Sequence, residues 1–159
     1  MSVLSGEVTV LCLVTLGAAR AAFVLRRRQS VAARISRPAL SPRWRLGVPG
    51  PIVHAIQSHG DHTGIPRVTA MEKSLYAVDE LTGFVTAVAL VRPSKAVRDV
   101  DATAVRKKMK DKAFARAVSR DMMQKGAEDL GIPFDELVGE IVTALDRVAA
   151  DLGLAGVAV

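Results

Sequence analysis

Between Thr69 and Val91 the chain sets Leu75, Tyr76, Val78, Leu81, Phe84, Val85, Val88 and Val91 at helical spacing, and the pattern stops at Arg92-Pro93. Thr69 is a suitable N-cap, and Glu72 stands three residues on, the separation at which the two side chains satisfy each other's backbone N–H groups. A helix this long and this apolar must be mostly buried, so the rest of the chain has to pack around it.

The neighbouring segments read as helices too. Pro49 through His59 predicts a short helix with its prolines in the first turn and Ile52, Val53 and Ile56 on one face. Gly60 to Pro66 breaks the pattern. Asp101 caps a predicted helix through Met109, a short helix is expected over Ala113 to Ala117, and another over Ser119 to Leu130 with Gly131 as its stop. Pro133 or Asp135 opens the last helix, whose core stripe is Leu137, Ile141, Val142, Leu145, Val148 and Leu152. No strand leads into a glycine-rich phosphate loop and no repeat period is visible. The expected fold class is all-α.

Charge divides the chain sharply. Of its 159 residues, 22 are Lys or Arg and 16 Asp or Glu, for a net charge of +6. Residues 1–45 hold eight arginines, no lysine and a single acid, Glu7, whereas residues 46–159 hold 14 basic and 15 acidic residues. A +7 appendage therefore precedes a domain of net −1. The boundary gives two regions: 1–45, an apolar helix plus an Arg-rich connector, and 46–159, a helical domain. With 50% hydrophobic residues the chain is not of disordered composition, and one cysteine, Cys12, excludes an internal disulfide framework. Such cysteine use agrees with a cytoplasmic, reducing location.

Residues 8–25 form the apolar run, interrupted by Thr9, Thr15, Gly17 and Arg20 and followed by Arg26-Arg27-Arg28. Eighteen residues lie at the short end of a membrane span, and Arg20 costs about 2.5–3.5 kcal/mol on insertion. A secretory signal is disfavoured, because its positive cluster would precede the apolar run. Three readings stay open: a helix packing on the domain or a partner, a membrane anchor through residues 8–25, and non-native sequence. The last rests on residues 37–45, which have no amphipathic period and no acid to balance their arginines, as a shifted reading frame in a GC-rich gene yields.

Chemistry must come from three histidines within nine residues, His54, His59 and His62, with Asp61 just before the last. On a helix His54 and His59 stand about 140° apart and face different ways. Downstream, Asp79 places a carboxylate inside an otherwise apolar helix, where it needs a partner such as a metal ion or a histidinium. A loop or capping histidine and a solvent-facing aspartate are the bland alternatives.

The stretches Leu46 to Pro49, Ile52 to Gly64 and Glu72 to Gly83 carry the pattern Ser58-His59-x-Asp61, Glu72-Lys73 and Ala77-x-Asp79-Glu80-Leu81-Thr82-Gly83. This pattern resembles the C-terminal half of HD-domain proteins, the metal-dependent phosphohydrolase superfamily, over roughly residues 46–154. Residues 89–94 and 107–115 are similar to a bacterial subgroup of the same superfamily. The resemblance implies an HD-domain-like helical array, N-terminally incomplete, with an added apolar helix. It also implies a divalent metal (Mn, Fe, Mg or Zn) held by His59 and Asp79, with His54 and His62 in second rank, and a phosphorylated small molecule as substrate. The departure is equally specific. The family's early His and His-Asp dipeptide belong upstream of residue 46, where the chain has no histidine, and no His-Asp pair occurs anywhere.

Two function classes follow. One is a metal-dependent phosphohydrolase, catalytically impaired for want of the dyad. The other is a non-catalytic helical interaction or regulatory module, or a truncated gene product. Without the family's first helices, the helix over 69–91 is expected to be partly uncovered, to be met by residues 8–25 or by a second subunit in a homodimer. Nucleic acid is an unlikely partner, because the run from Lys107 to Lys112 is offset by Asp99, Asp101 and Asp111 and no aromatic side chain interleaves it.

Overall fold

The computed structural model describes residues 49–157. The expected apolar helix over 8–25 and the connector that follows it lie outside the described residues. Six α-helices carry the fold: α1 (Gly50–Ser58), α2 (Ala70–Leu90), α3 (Ala102–Met109), α4 (Arg120–Leu130), α5 (Phe134–Asp146) and α6 (Ala149–Leu152). Short 3₁₀ turns at Asp61–Thr63 and Val97–Asp99 join them. No strand occurs among the described residues, only an isolated antiparallel bridge between Ala96 and Ala155. The described residues are all-α, as their periodicity required.

α2 is the axis. Thr69 Oγ1 accepts from Glu72 N at 3.3 Å while the Glu72 carboxylate accepts from Thr69 N at 2.9 Å, so the anticipated capping box is complete. Tyr76, Ala77, Val78, Leu81, Phe84 and Val85 are fully enclosed. Each large apolar side chain among them contributes about 1.5–3 kcal/mol by leaving water. α4 lies along α2 in the most extensive helix contact, with α1 and α5 on other sides. The approach of α4 is very close at Gly126, where an added Cβ would stand 2.6 Å from Ala77 Cα. The large apolar side chains exposed on this helix and its cap are Leu90 and Val91. Exposure of large apolar side chains on α2 is thus confined to its C-terminal end.

Caps fix the other boundaries. Asp101 accepts from Ala104 N at 2.7 Å to start α3, and Ser119 accepts from Met122 N at 3.3 Å to start α4. Gly131 ends α4 in the left-handed region at φ 68°, a conformation that favours glycine.

Three expectations need correction. Residues 113–117 form turns instead of a helix. They wind around Arg120, whose guanidinium donates to Ala115 O (2.9 Å), Val118 O (2.7 Å), Asp111 O (3.2 Å) and Phe114 O, and stacks over the Phe84 ring at 5.0 Å. Phe114 O and Val118 O take a donor from this side chain, and Asp111 O and Ala115 O accept from it as well as from the turn N–H groups of Phe114 and Val118, which removes the need for a helical ladder. The last helix is broken at Arg147-Val148, where Val148 leaves helical backbone at φ −118°, ψ 13°. The break turns the chain so that Leu154 enters the core and accepts Val97 N at 2.9 Å. Finally, the buried face of α1 is Ala55, Gln57 and Ser58, while Ile52 is exposed.

Candidate functional site

The candidate residues gather where α1, the loop over 59–69 and the first half of α2 meet. Two carboxylates tie this corner together. Glu72 does more than cap its own helix. Its Oε2 accepts from Val68 N at 2.6 Å and its Oε1 accepts His54 Nδ1–H at 2.7 Å. The two backbone N–H groups do most to pull the Glu72 pKa down, to about 2, with His54 and Thr69 adding to them against the effect of burial. His54 is therefore committed to a structural bond with Glu72, on a different side of α1 from His59.

Asp61 is the second tie. Its Oδ1 accepts from Arg67 Nη2 at 2.7 Å, its Oδ2 accepts the Tyr76 hydroxyl at 3.1 Å, and Lys125 on α4 stands 3.9 Å away. Burial works against its charge, but the bonds from Arg67 and Tyr76 outweigh it and hold the Asp61 carboxyl below its ordinary range. Arg67 lies flat on Tyr76, 3.7 Å from the ring centroid, and also donates to Ser58 O at 3.0 Å. Burial and the bond to Asp61 push the Tyr76 phenol up to about 12. Arg67, Tyr76 and Lys125 organise the corner although the spacing of charges and histidines did not single them out. The one available signal was Tyr76, the only tyrosine in the chain, four residues after the capping Glu72.

His59 and Asp79 are the pair that remains. At the end of α1, His59 Nδ1–H donates to Ile56 O at 2.5 Å, which fixes the ring and leaves Nε2 outside that bond. Asp79 is mostly buried on α2. Burial raises its pKa, and nearby His59 pulls it part of the way back. His59 and Asp79 face the α1–α2 contact closely enough to interact electrostatically, and no hydrogen bond joins them among the described residues. His62 is turned onto the chain itself: a Cβ on Gly60 would meet its Cε1 at 2.5 Å. Next to Asp79, Glu80 is also raised by burial, although it accepts Ser119 N at 3.2 Å and so pins the start of α4 to α2.

Among the described residues no three His, Cys, Asp or Glu side chains are placed to hold a metal ion together. A catalytic zinc-type centre keeps about three protein ligands. The described donor set, His59 and Asp79, falls short of that, so a catalytic metal does not fit it. Among the described residues, no helix is long and apolar enough to cross a membrane.

Compared with protein-family models, with curated proteins and with solved structures, the chain matches none.

Proposed function

We propose that this chain is a helical scaffold of HD type that acts as a non-catalytic interaction or regulatory module, with His59 and Asp79 as the residual pair of a divalent-metal site. The observation that carries this reading is the commitment of His54 to Glu72 at 2.7 Å, which leaves a single histidine beside Asp79. The sequence adds no histidine upstream and no His-Asp dipeptide. Two ligands bind a divalent ion too weakly to hold a water that needs its pKa brought near neutral.

One observation favours the second reading, a metal-dependent phosphohydrolase acting on a phosphorylated small molecule. Metal-binding histidines usually donate the other ring N–H to a carbonyl or carboxylate, and His59 does so to Ile56 O. The test purifies the full chain, equilibrates it in turn with Mn²⁺, Fe²⁺, Mg²⁺ and Zn²⁺, and measures bound metal by atomic emission alongside hydrolysis of bis(p-nitrophenyl) phosphate. The scaffold reading expects far less than one ion per chain and no hydrolysis above that of His59→Ala or Asp79→Ala. One ion per chain, lost from both variants together with phosphodiesterase activity, would overturn it in favour of the enzyme.

A further inference from the structure

The exposed end of α2 borders a recess of about 430 Å³ that the His59–Asp79 corner does not use. Twelve residues separate Val91 from Asp79, which is about 18 Å along a helix, so the two places are distinct. Val88, Val91 and Pro93 give the recess an apolar wall, and Arg92 from the end of α2 joins Lys107 and Lys108 from α3 around it. No acid is among the residues that line it.

This concentration of cations is local. Residues 46–159 carry 15 acids against 14 bases, yet three bases and no acid meet here. Nor are Arg92 and Lys107 paired to an acid as Arg106 is. Arg106, one residue before Lys107, is paired to Asp135 at 2.6 Å and covers the Phe134 ring at 5.0 Å. Arg92 and Lys107 have no carboxylate within 4.0 Å among the described residues. Lys108 lies 4.9 Å over the Phe114 ring, which keeps its ammonium near the protein surface. A helix C-terminus accounts for lysines in the last turn of α3. The same argument covers Arg92, one residue past the cap of α2, but not the convergence of both helix ends on one recess, nor Val91, an apolar side chain 56% exposed beside them.

We infer that this recess binds a small amphiphilic anion, its apolar chain or ring against Val88, Val91 and Pro93 and its acidic headgroup held by Arg92, Lys107 and Lys108. The volume falls in the range of small-molecule sites, which combine an apolar lining with a few converging polar groups. Charge complementarity disfavours the connector over residues 26–45 as occupant, because it carries seven arginines and no acid. A phosphate or a carboxylate headgroup satisfies the same three cations.

Isothermal titration of the full chain with octyl phosphate and with octanoate, below their aggregation concentrations, tests this, with octanol and inorganic phosphate as half-ligands. One saturable site for at least one amphiphile is expected, with the tighter of the two naming the headgroup, and each half-ligand binding about tenfold or more weakly. Arg92→Gln and Lys107→Gln should each weaken binding about tenfold, Val91→Asp should abolish it, and Lys73→Gln near the other end of α2 should leave it unchanged. Circular dichroism melts confirm that each variant is folded. The inference is overturned if neither amphiphile saturates, if octanol binds as well as the anions, or if Arg92→Gln and Lys107→Gln have no effect. A concentration-dependent dimer that Val91→Asp dissolves, with no amphiphile bound, overturns it in favour of a second copy on this face.

Discussion

Three helical glycines, Gly83, Gly126 and Gly139, look alike by helix propensity, yet the structure assigns them opposite responses to alanine. At Gly126 a new Cβ would stand 2.6 Å from Ala77 Cα, 3.0 Å from Ala77 Cβ and 3.4 Å from Ala77 N. Carbon atoms are comfortable at about 3.5–4.0 Å, so α4 must back away from α2 by about 1 Å. The obstacle is backbone of a buried helix and cannot rotate aside. Overpacking of this kind costs about 1–3 kcal/mol, and against backbone the upper half of that range applies. The propensity gain of Gly→Ala returns about 1 kcal/mol. Gly126→Ala is therefore expected to lose a net of about 1–2 kcal/mol, roughly a 2–8 °C drop in Tm for a domain of this size. At Gly83 and Gly139 an added Cβ meets nothing within 4 Å, so the propensity gain stands alone. Gly83→Ala and Gly139→Ala are expected to raise Tm by about 2–4 °C each. Thermal unfolding of the full chain followed by far-ultraviolet circular dichroism reads all three. A rise in Tm for Gly126→Ala equal to that of the other two would show that α4 does not approach α2 so closely and refute the packing argument.

Further predictions rest on single side chains. Arg120→Ala removes the side-chain donor of Phe114 O and Val118 O, takes a second donor from Asp111 O and Ala115 O, and uncovers Phe84, so it is expected to cost about 2–3 kcal/mol and speed proteolysis within residues 110–118. Glu72→Ala strands the N–H groups of Val68 and Thr69 and removes the His54 partner, for an expected loss of about 1–3 kcal/mol in denaturant titration. The pH dependence follows from a folded pKa near 2 against a usual 4.5. Glu72 contributes in full above 4.5, its contribution is lost as pH falls toward 2, and Glu72→Gln should flatten the acid limb of a stability profile in that window. Asp79 has the opposite sign. Its raised pKa penalises the folded state once pH rises through the folded value, so Asp79→Asn is expected to stabilise the protein at neutral pH. A loss of stability in Asp79→Asn would mean that the ionised carboxylate, with His59, is a structural pair.

Much of the corner that holds the candidate site was legible as sequence and some of it was not. His59 and Asp79 were named together from the resemblance, and the structure adds an electrostatic influence of one on the other without a bond between them. The separation of His54 from His59 follows from helical geometry and also holds. What periodicity could not supply was the destination of His54, because its partner Glu72 is 18 residues away across a loop. The same is true of Asp61, whose partners come from the loop, from α2 and from α4. The apolar triplet Ile52, Val53 and Ile56 misled in a related way, since an amphipathic stripe names a face without naming what covers it. α1 instead turns Ala55, Gln57 and Ser58 inward.

The sequence by itself determined the helices and several of their ends, because caps, glycine stops and helical ladders are bonds between residues three to five positions apart. Thr69 with Glu72, Asp101 with Ala104, Ser119 with Met122 and the left-handed Gly131 all fall within that reach. Only the tertiary structure decided that residues 110–118 wrap a guanidinium instead of forming a helix, and that Gly126 meets Ala77. It also decided that Glu80 anchors Ser119, 39 residues on. Those outcomes depend on which helix faces which, a choice made by burial of the whole core, and a side chain's charge or size in the sequence does not say whose backbone it will meet.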